Sequence, residues 1–69
     1  MTLKELKEKY RSQNLDEFEL KDEGDTVWLW GYGTYERGSV LAGSFKESRL
    51  DAFDSVEEAT KAYPFLPPP

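Results

Sequence analysis

Residues 26–35 read TVWLWGYGTY and contain both tryptophans and two of the four tyrosines of the chain. In an extended strand, successive side chains point to opposite faces of the sheet. Large rings therefore share one face and aliphatic residues the other, with Trp28, Trp30 and Tyr32 opposed to Val27 and Leu29. Because both faces are apolar, this stretch is predicted to be a central strand. Gly31 and Gly33 predict a bulge, a bend or the close approach of another backbone.

The residues before this strand predict a helix. Thr2 and Glu5 have the spacing of a capping box, in which the hydroxyl and the carboxylate each accept a backbone N–H. An apolar stripe at helical spacing follows, formed by Leu3, Leu6 and Tyr10. The helix is expected over residues 2–13 and to end near Asn14.

A second strand is predicted between this helix and the central strand. Phe18 and Leu20 alternate with charged residues at positions 17, 19 and 21, which is typical of a half-buried strand. Residues 22–25 then supply the glycine and aspartates of a hairpin turn.

The residues after the central strand predict further strands and a second helix. We expect a turn at 36–38, a third strand over 39–45, a turn at 46–49 and an optional short fourth strand over 50–53. Ser55 and Glu58 repeat the capping-box spacing, so a short helix is expected from there, and Pro64 prevents its continuation.

The predicted order is α-β-β-β-(β)-α, an α+β fold with a three- to four-stranded antiparallel sheet flanked by two helices. One small domain is expected over residues 1–66, with an exposed proline tail at 67–69. The aromatic face of the central strand is expected to form the core, packed against Leu3, Leu6, Val56 and Ala59. The alternative is that these rings form a protein-binding surface, for which tryptophan and tyrosine are favoured.

Composition excludes several classes of site. The 69 residues include neither cysteine nor histidine, which removes the usual zinc ligands, thiol nucleophiles and imidazole bases. Nine basic residues against fourteen acidic ones give a net charge of −5, which opposes binding to nucleic acid or to anionic membranes. We therefore expect basic partners, no cofactor and no membrane segment, and a cytoplasmic location.

No motif in the chain predicts catalysis. The glycines between residues 31 and 38 match neither the dinucleotide fingerprint nor the P-loop, because Glu36 replaces a required glycine and no Gly-Lys pair is present. The acidic residues do not have the spacing of a calcium-binding loop. A chain of this length has little room for a deep substrate cleft, so we expect a binding protein rather than an enzyme.

Acidic residues surround the start of the central strand. Six of the ten residues from 16 to 25 are carboxylates, namely Asp16, Glu17, Glu19, Asp22, Glu23 and Asp25. Alternate residues of a strand lie about 6.6 Å apart, close to the spacing of successive phosphates, so such a row fits a basic groove. The alternative is that these charges only keep a small domain soluble. The candidate partner-binding set is completed by Trp30, Tyr32, Tyr35 and Glu36.

Three segments of the C-terminal half carry a resemblance: Gly38-Ser-Val-Leu-Ala-Gly43, Phe53-Asp-Ser-Val-Glu-Glu-Ala59 and Ala62-Tyr-Pro64. This pattern resembles short proteins of phages, plasmids and their bacterial hosts, in which a strand pair leads into a helix that ends at Tyr-Pro. The resemblance implies a mobile-element setting inside a bacterial host, where acidic proteins of this size are often inhibitors of host defence, including anti-CRISPR proteins.

Two hypotheses follow from the sequence. The first is a non-enzymatic inhibitor that occupies a basic, nucleic-acid-binding surface of a host defence protein, such as a component of a CRISPR effector, without itself binding nucleic acid. The second is a structural or assembly module that docks or forms a homodimer through its aromatic face.

Overall fold

The computed structural model describes residues 1–69 and shows two α-helices, three strands and one short 3₁₀ helix at residues 11–13. The α-helices and strands are α1 (Leu3–Lys9), β1 (Leu15–Asp22), β2 (Val27–Thr34), β3 (Phe45–Phe53) and α2 (Val56–Ala62). This order confirms the predicted α+β fold, with three strands in one antiparallel sheet. Each helix has seven residues, and no helix has the length and apolar character that crossing a membrane requires.

Both helices begin at the predicted capping residues. In α1 the Thr2 hydroxyl accepts the Glu5 N–H at 3.2 Å, and the Glu5 carboxylate accepts the Thr2 N–H at 3.0 Å. In α2 the Ser55 hydroxyl accepts the Glu58 N–H at 3.1 Å. α1 is shorter than predicted, because the chain tightens into a 3₁₀ turn at residues 11–13 before it reverses at Asn14.

The central strand is the predicted one. β2 pairs with β1 on one side and with β3 on the other, so the sheet order is β1-β2-β3. The β1–β2 hairpin pairs Leu20 with Leu29 and closes through the predicted turn. Its tight connection includes Gly24, whose φ of 94° is a backbone conformation that glycine adopts without steric cost.

The predicted third and fourth strands are wrong in their boundaries. Residues 35–44 form a loop of consecutive turns rather than a strand, with Gly38 and Gly43 at positive φ. The predicted turn at 46–49 and the optional strand at 50–53 together form β3. The polar segment pairs because an edge strand needs only backbone hydrogen bonds to β2, while its charged side chains stay in water.

The core lies on the aliphatic face of the sheet. One buried cluster joins residues of both helices, β1, β2 and the C-terminal segment, namely Leu6, Leu20, Val27, Leu29, Ala59, Tyr63 and Leu66. The prediction that the tryptophan face packs against the helices is therefore wrong. Leu6 and Ala59 are fully buried as expected, but Leu3 and Val56 are exposed.

Only the aliphatic face of the sheet is buried because the two helices are small. Seven residues span only about 10 Å, so two such helices cover one face of a three-stranded sheet and not both. The aliphatic face accepts close helix packing. Tryptophan and tyrosine tolerate half-exposure, since each has a polar group that bonds at the surface.

Gly33 explains how α1 joins the sheet. A Cβ atom at Gly33 would overlap the carbonyl oxygen of Asn14. Asn14 has a left-handed backbone, and its side-chain amide donates hydrogen bonds to Thr34. The predicted close approach of another backbone is thus confirmed at Gly33.

Candidate functional site: the uncovered face of the sheet

The face of the sheet opposite the helices is uncovered. Residues directly opposite each other in adjacent strands share a face. The register of the three strands therefore defines this open face by its residues, which are Glu17, Glu19 and Lys21 of β1, Trp28, Trp30, Tyr32 and Thr34 of β2, and Phe45, Glu47, Arg49 and Ala52 of β3.

Three aromatic rings stack along the open face. The rings of Trp30 and Tyr32 lie 6.4 Å apart with only 9° between their planes. Phe45 continues the stack, 5.8 Å from Tyr32, and is 65% exposed. The rings thus form a flat apolar surface that runs from the middle of the sheet to its β3 edge.

Two cations lie over these rings. The Arg49 guanidinium is 5.2 Å from the Trp28 ring centre and 5.0 Å from that of Trp30. The Lys21 ammonium is 4.9 Å from Trp30 and 5.6 Å from Tyr32. These distances are within the range of cation–π attraction. The open face therefore already holds cations of the kind that a basic partner would present.

Glu23 anchors one end of this arrangement from the hairpin turn. Its carboxylate accepts a hydrogen bond from the Trp30 indole N–H at 2.8 Å and from the Arg49 guanidinium at 2.5 Å. The Trp30 hydrogen bond, followed by the Arg49 hydrogen bond, lowers the pKa of Glu23. Glu23 therefore stays ionised and fixes the positions of both side chains.

A second set of polar contacts on the open face surrounds the Tyr32 hydroxyl. This hydroxyl donates to Glu19 at 2.8 Å, and Lys21 lies 3.8 Å from the same carboxylate oxygen. Desolvation is the main cause that raises the pKa of Tyr32, and hydrogen bonding with Tyr32 is the main cause that raises the pKa of Lys21. At neutral pH Tyr32 is thus a neutral donor and Lys21 a cation.

The structure brings together about half of the predicted partner-binding residues. Glu17, Glu19, Trp30 and Tyr32 lie on the open face, and Glu23 contacts it from the turn. The other predicted residues, Asp16, Asp22, Asp25, Tyr35 and Glu36, lie elsewhere. Asp16 sits at a register shift in β1, and Asp22 is paired opposite Val27 on the helix side.

The remaining three predicted residues lie in connections. Asp25 belongs to the β1–β2 turn, and Tyr35 and Glu36 begin the loop that leads to β3. Tyr35 has the Lys46 ammonium 5.7 Å from its ring centre. The six acidic residues between 16 and 25 therefore do not form one continuous row, because alternation and the turn distribute them over both faces.

Sequence reasoning missed the part of the site that β3 supplies. Arg49 and Glu47 fall in a segment that the sequence predicts to be a turn, and Phe45 ends a strand that is not formed. The opposite charges of Glu47 and Arg49, two residues apart, are a weak signal of one face of a strand there.

The open face is a mixed surface with an acidic excess. Four glutamates, including Glu23, accompany two cations, so its net charge is −2. Glu17 and Glu47 both lie directly opposite Tyr32, one on each neighbouring strand. Neither takes part in the two ion pairs of the chain, and both are exposed. The arrangement therefore offers aromatic area flanked by carboxylates.

No group of three or more acidic, cysteine or histidine side chains is placed to hold a metal ion. Comparison of the chain with protein-family models, with curated protein sequences and with solved structures gives no significant match.

Proposed function

We propose that this protein is a non-enzymatic binding module whose open face docks on a basic surface of a partner protein. The observation that carries the proposal is the uncovered sheet face, where stacked rings lie between carboxylates. Aromatic side chains supply large contact area at low entropic cost and are frequent hot spots. The polar side chains of this face either hydrogen-bond to one another or lie in water. The face is therefore suited to contact with a partner protein.

Charge selects the kind of partner. A net charge of −5 on the chain attracts a basic surface over long range, and the net charge of −2 on the open face continues this attraction at contact. Glu17 and Glu47 flank the Tyr32 ring and lack ion-pair partners. A partner arginine that stacks near this ring would meet a carboxylate on either side.

The more specific form of the proposal is an inhibitor of a nucleic-acid-handling protein of bacterial host defence, as anti-CRISPR proteins are. The acidic character of the chain and the resemblance of its C-terminal half to phage and plasmid proteins support this form. In it, the open face would occupy a groove that otherwise binds nucleic acid.

A charge-matched pair of variants tests the proposal. Glu17→Gln with Glu47→Gln removes two charges from the open face. Glu8→Gln with Glu57→Gln removes two charges from exposed positions on the helices. In affinity capture from a bacterial lysate, we expect only the first variant to lose a partner that elutes at high salt. A nucleic acid duplex added to the captured complex should displace the protein.

Removal of a positive charge from the open face tests whether the partner surface is basic. Lys21→Gln makes the open face more acidic and should strengthen capture of a basic partner. Weaker capture of the same partner by this variant, or equal loss in both double variants, would contradict the proposal.

A second candidate is an assembly module that forms a homodimer through the open face. The observation that favours it is the exposed Phe45 ring at the end of an unpartnered aromatic stack. It predicts a mass in sedimentation equilibrium that rises with concentration and returns to that of a monomer on Trp30→Ala. A wild-type protein that stays monomeric at high concentration would exclude it.

A further inference from the structure

A groove runs along the outer edge of β1. It has a volume of about 560 Å³ and is lined by six consecutive residues, 18–23, together with Pro67, Pro68 and Pro69. Successive strand residues point to opposite faces. A depression lined by all six must therefore follow the backbone edge of the strand rather than either face of the sheet.

The hairpin determines which backbone groups point into this groove. Glu23 N–H donates to the Thr26 carbonyl at 3.0 Å, so this pair is hydrogen-bonded across the hairpin. Hydrogen-bonded pairs alternate with non-hydrogen-bonded ones along an antiparallel ladder. The N–H and C=O groups of Phe18, Leu20 and Asp22 therefore point away from β2, toward the groove.

The proline tail forms the far wall and leaves these groups unpaired. No backbone hydrogen bond joins the tail to β1. Proline has no N–H group, and so it cannot donate to the strand. The N–H and C=O groups of Phe18 and Asp22 are thus accessible between β1 and a wall of pyrrolidine rings, whereas Leu20 is only 3% exposed.

Charge favours a basic occupant. Three carboxylates and one ammonium line the groove, namely Glu19, Asp22, Glu23 and Lys21. Five residues of β1, 18–22, line the groove and span about 17 Å, which matches an added strand of about five residues. The side chains of Glu19 and Lys21 also belong to the open face.

We propose that an extended, lysine- or arginine-rich segment of the partner adds to β1 as a fourth strand within this groove. The inference rests on the proposed function for the basic character of the partner, and it adds the way in which the partner is held. Backbone hydrogen bonds to β1 supply the pairing, and alternate basic side chains reach the carboxylates.

The probe is a nine-residue peptide in which lysine alternates with valine, added to the ¹⁵N-labelled protein. The matched control peptide is N-methylated at the residues that would donate to β1, which keeps its charge and removes its donors. We expect the amide signals of Phe18 and Asp22 to shift with the first peptide. The control should bind about 10- to 100-fold more weakly, because up to two hydrogen bonds are lost.

Equal affinity of the two peptides would overturn the inference. So would shifts confined to the indole signals of Trp28 and Trp30, although that result would leave the open-face proposal standing. Failure of both peptides to bind, or the same amide shifts on concentrating the protein alone, would also overturn it. The glutamate variants described above test the open face separately.

Discussion

The junction between α1 and the sheet yields a strong prediction at Gly33. In Gly33→Ala the new methyl group would overlap the Asn14 carbonyl oxygen and lie within 3.0 Å of the Leu15 Cα atom. Both neighbours are backbone, so no side-chain rotation relieves the overlap. The turn and β2 would have to separate by about 1 Å or more to restore ordinary contact.

The expected cost follows from what this movement breaks. Overpacking in a rigid site costs about 1–3 kcal/mol. Separation also strains the two hydrogen bonds from the Asn14 amide to Thr34, each contributing about 1 kcal/mol. We expect a loss of about 3–5 kcal/mol. A chain of this length has a free energy of unfolding of only about 3–10 kcal/mol.

Two matched glycine variants separate the contributions. In Gly31→Ala the new methyl group would meet the Cδ1 atoms of Leu50 and Leu15 at 2.7 and 2.9 Å, and these side-chain ends can move. A smaller loss of about 1–2 kcal/mol is expected. Gly24→Ala has no neighbour within 4 Å, so only its φ of 94° costs stability, by about 1–2 kcal/mol.

Urea denaturation followed by tryptophan fluorescence and by far-UV circular dichroism measures all three variants. The reasoning requires Gly33→Ala to be the least stable. If Gly33→Ala loses no more stability than Gly31→Ala, the Asn14 carbonyl does not lie against the strand.

Three further substitutions test other parts of the molecule. Leu29→Ala removes a fully buried core side chain, so calorimetry or urea denaturation should show a loss of about 2–5 kcal/mol; a loss below 1 kcal/mol would mean that the core lies elsewhere. Tyr63 is buried and its hydroxyl donates to Asp51 at 3.1 Å; desolvation first and this bond second raise its pKa to about 12. The pKa of an unfolded tyrosine is 10.0. The stability that Tyr63 contributes to the fold is therefore complete below pH 10 and is lost between pH 10 and about 12. The free energy of unfolding should fall there by up to about 1.4 kcal/mol per pH unit, and Tyr63→Phe should flatten this fall. Trp30→Phe removes the indole N–H that Glu23 accepts, so an NMR titration should show a higher pKa for Glu23 than in the wild type; an unchanged value would show that the hydrogen bond is not formed in solution.

The helix starts, β1, β2 and the turn between them could be predicted from the sequence because each depends on a few neighbouring residues. Capping residues at Thr2 and Ser55, alternation in β1 and β2, and the turn around Gly24 each act over a few residues. The boundaries of the third strand could not be predicted in this way. Its polar centre at residues 46–49 is stabilised by pairing with β2, and its start was displaced by the glycines at positions 38 and 43.

Composition and alternation determined, without any structure, that the chain is acidic, lacks histidine and cysteine, and builds its sheet around residues 26–35. Only the tertiary structure decided which face of that strand is buried. Both faces are apolar, so the choice depended on what two seven-residue helices can cover, and they cover the aliphatic one. The register between the strands placed Lys21 and Arg49 over the rings on the face that the helices left open, and for Arg49 this pairing joins strands separated by a ten-residue loop.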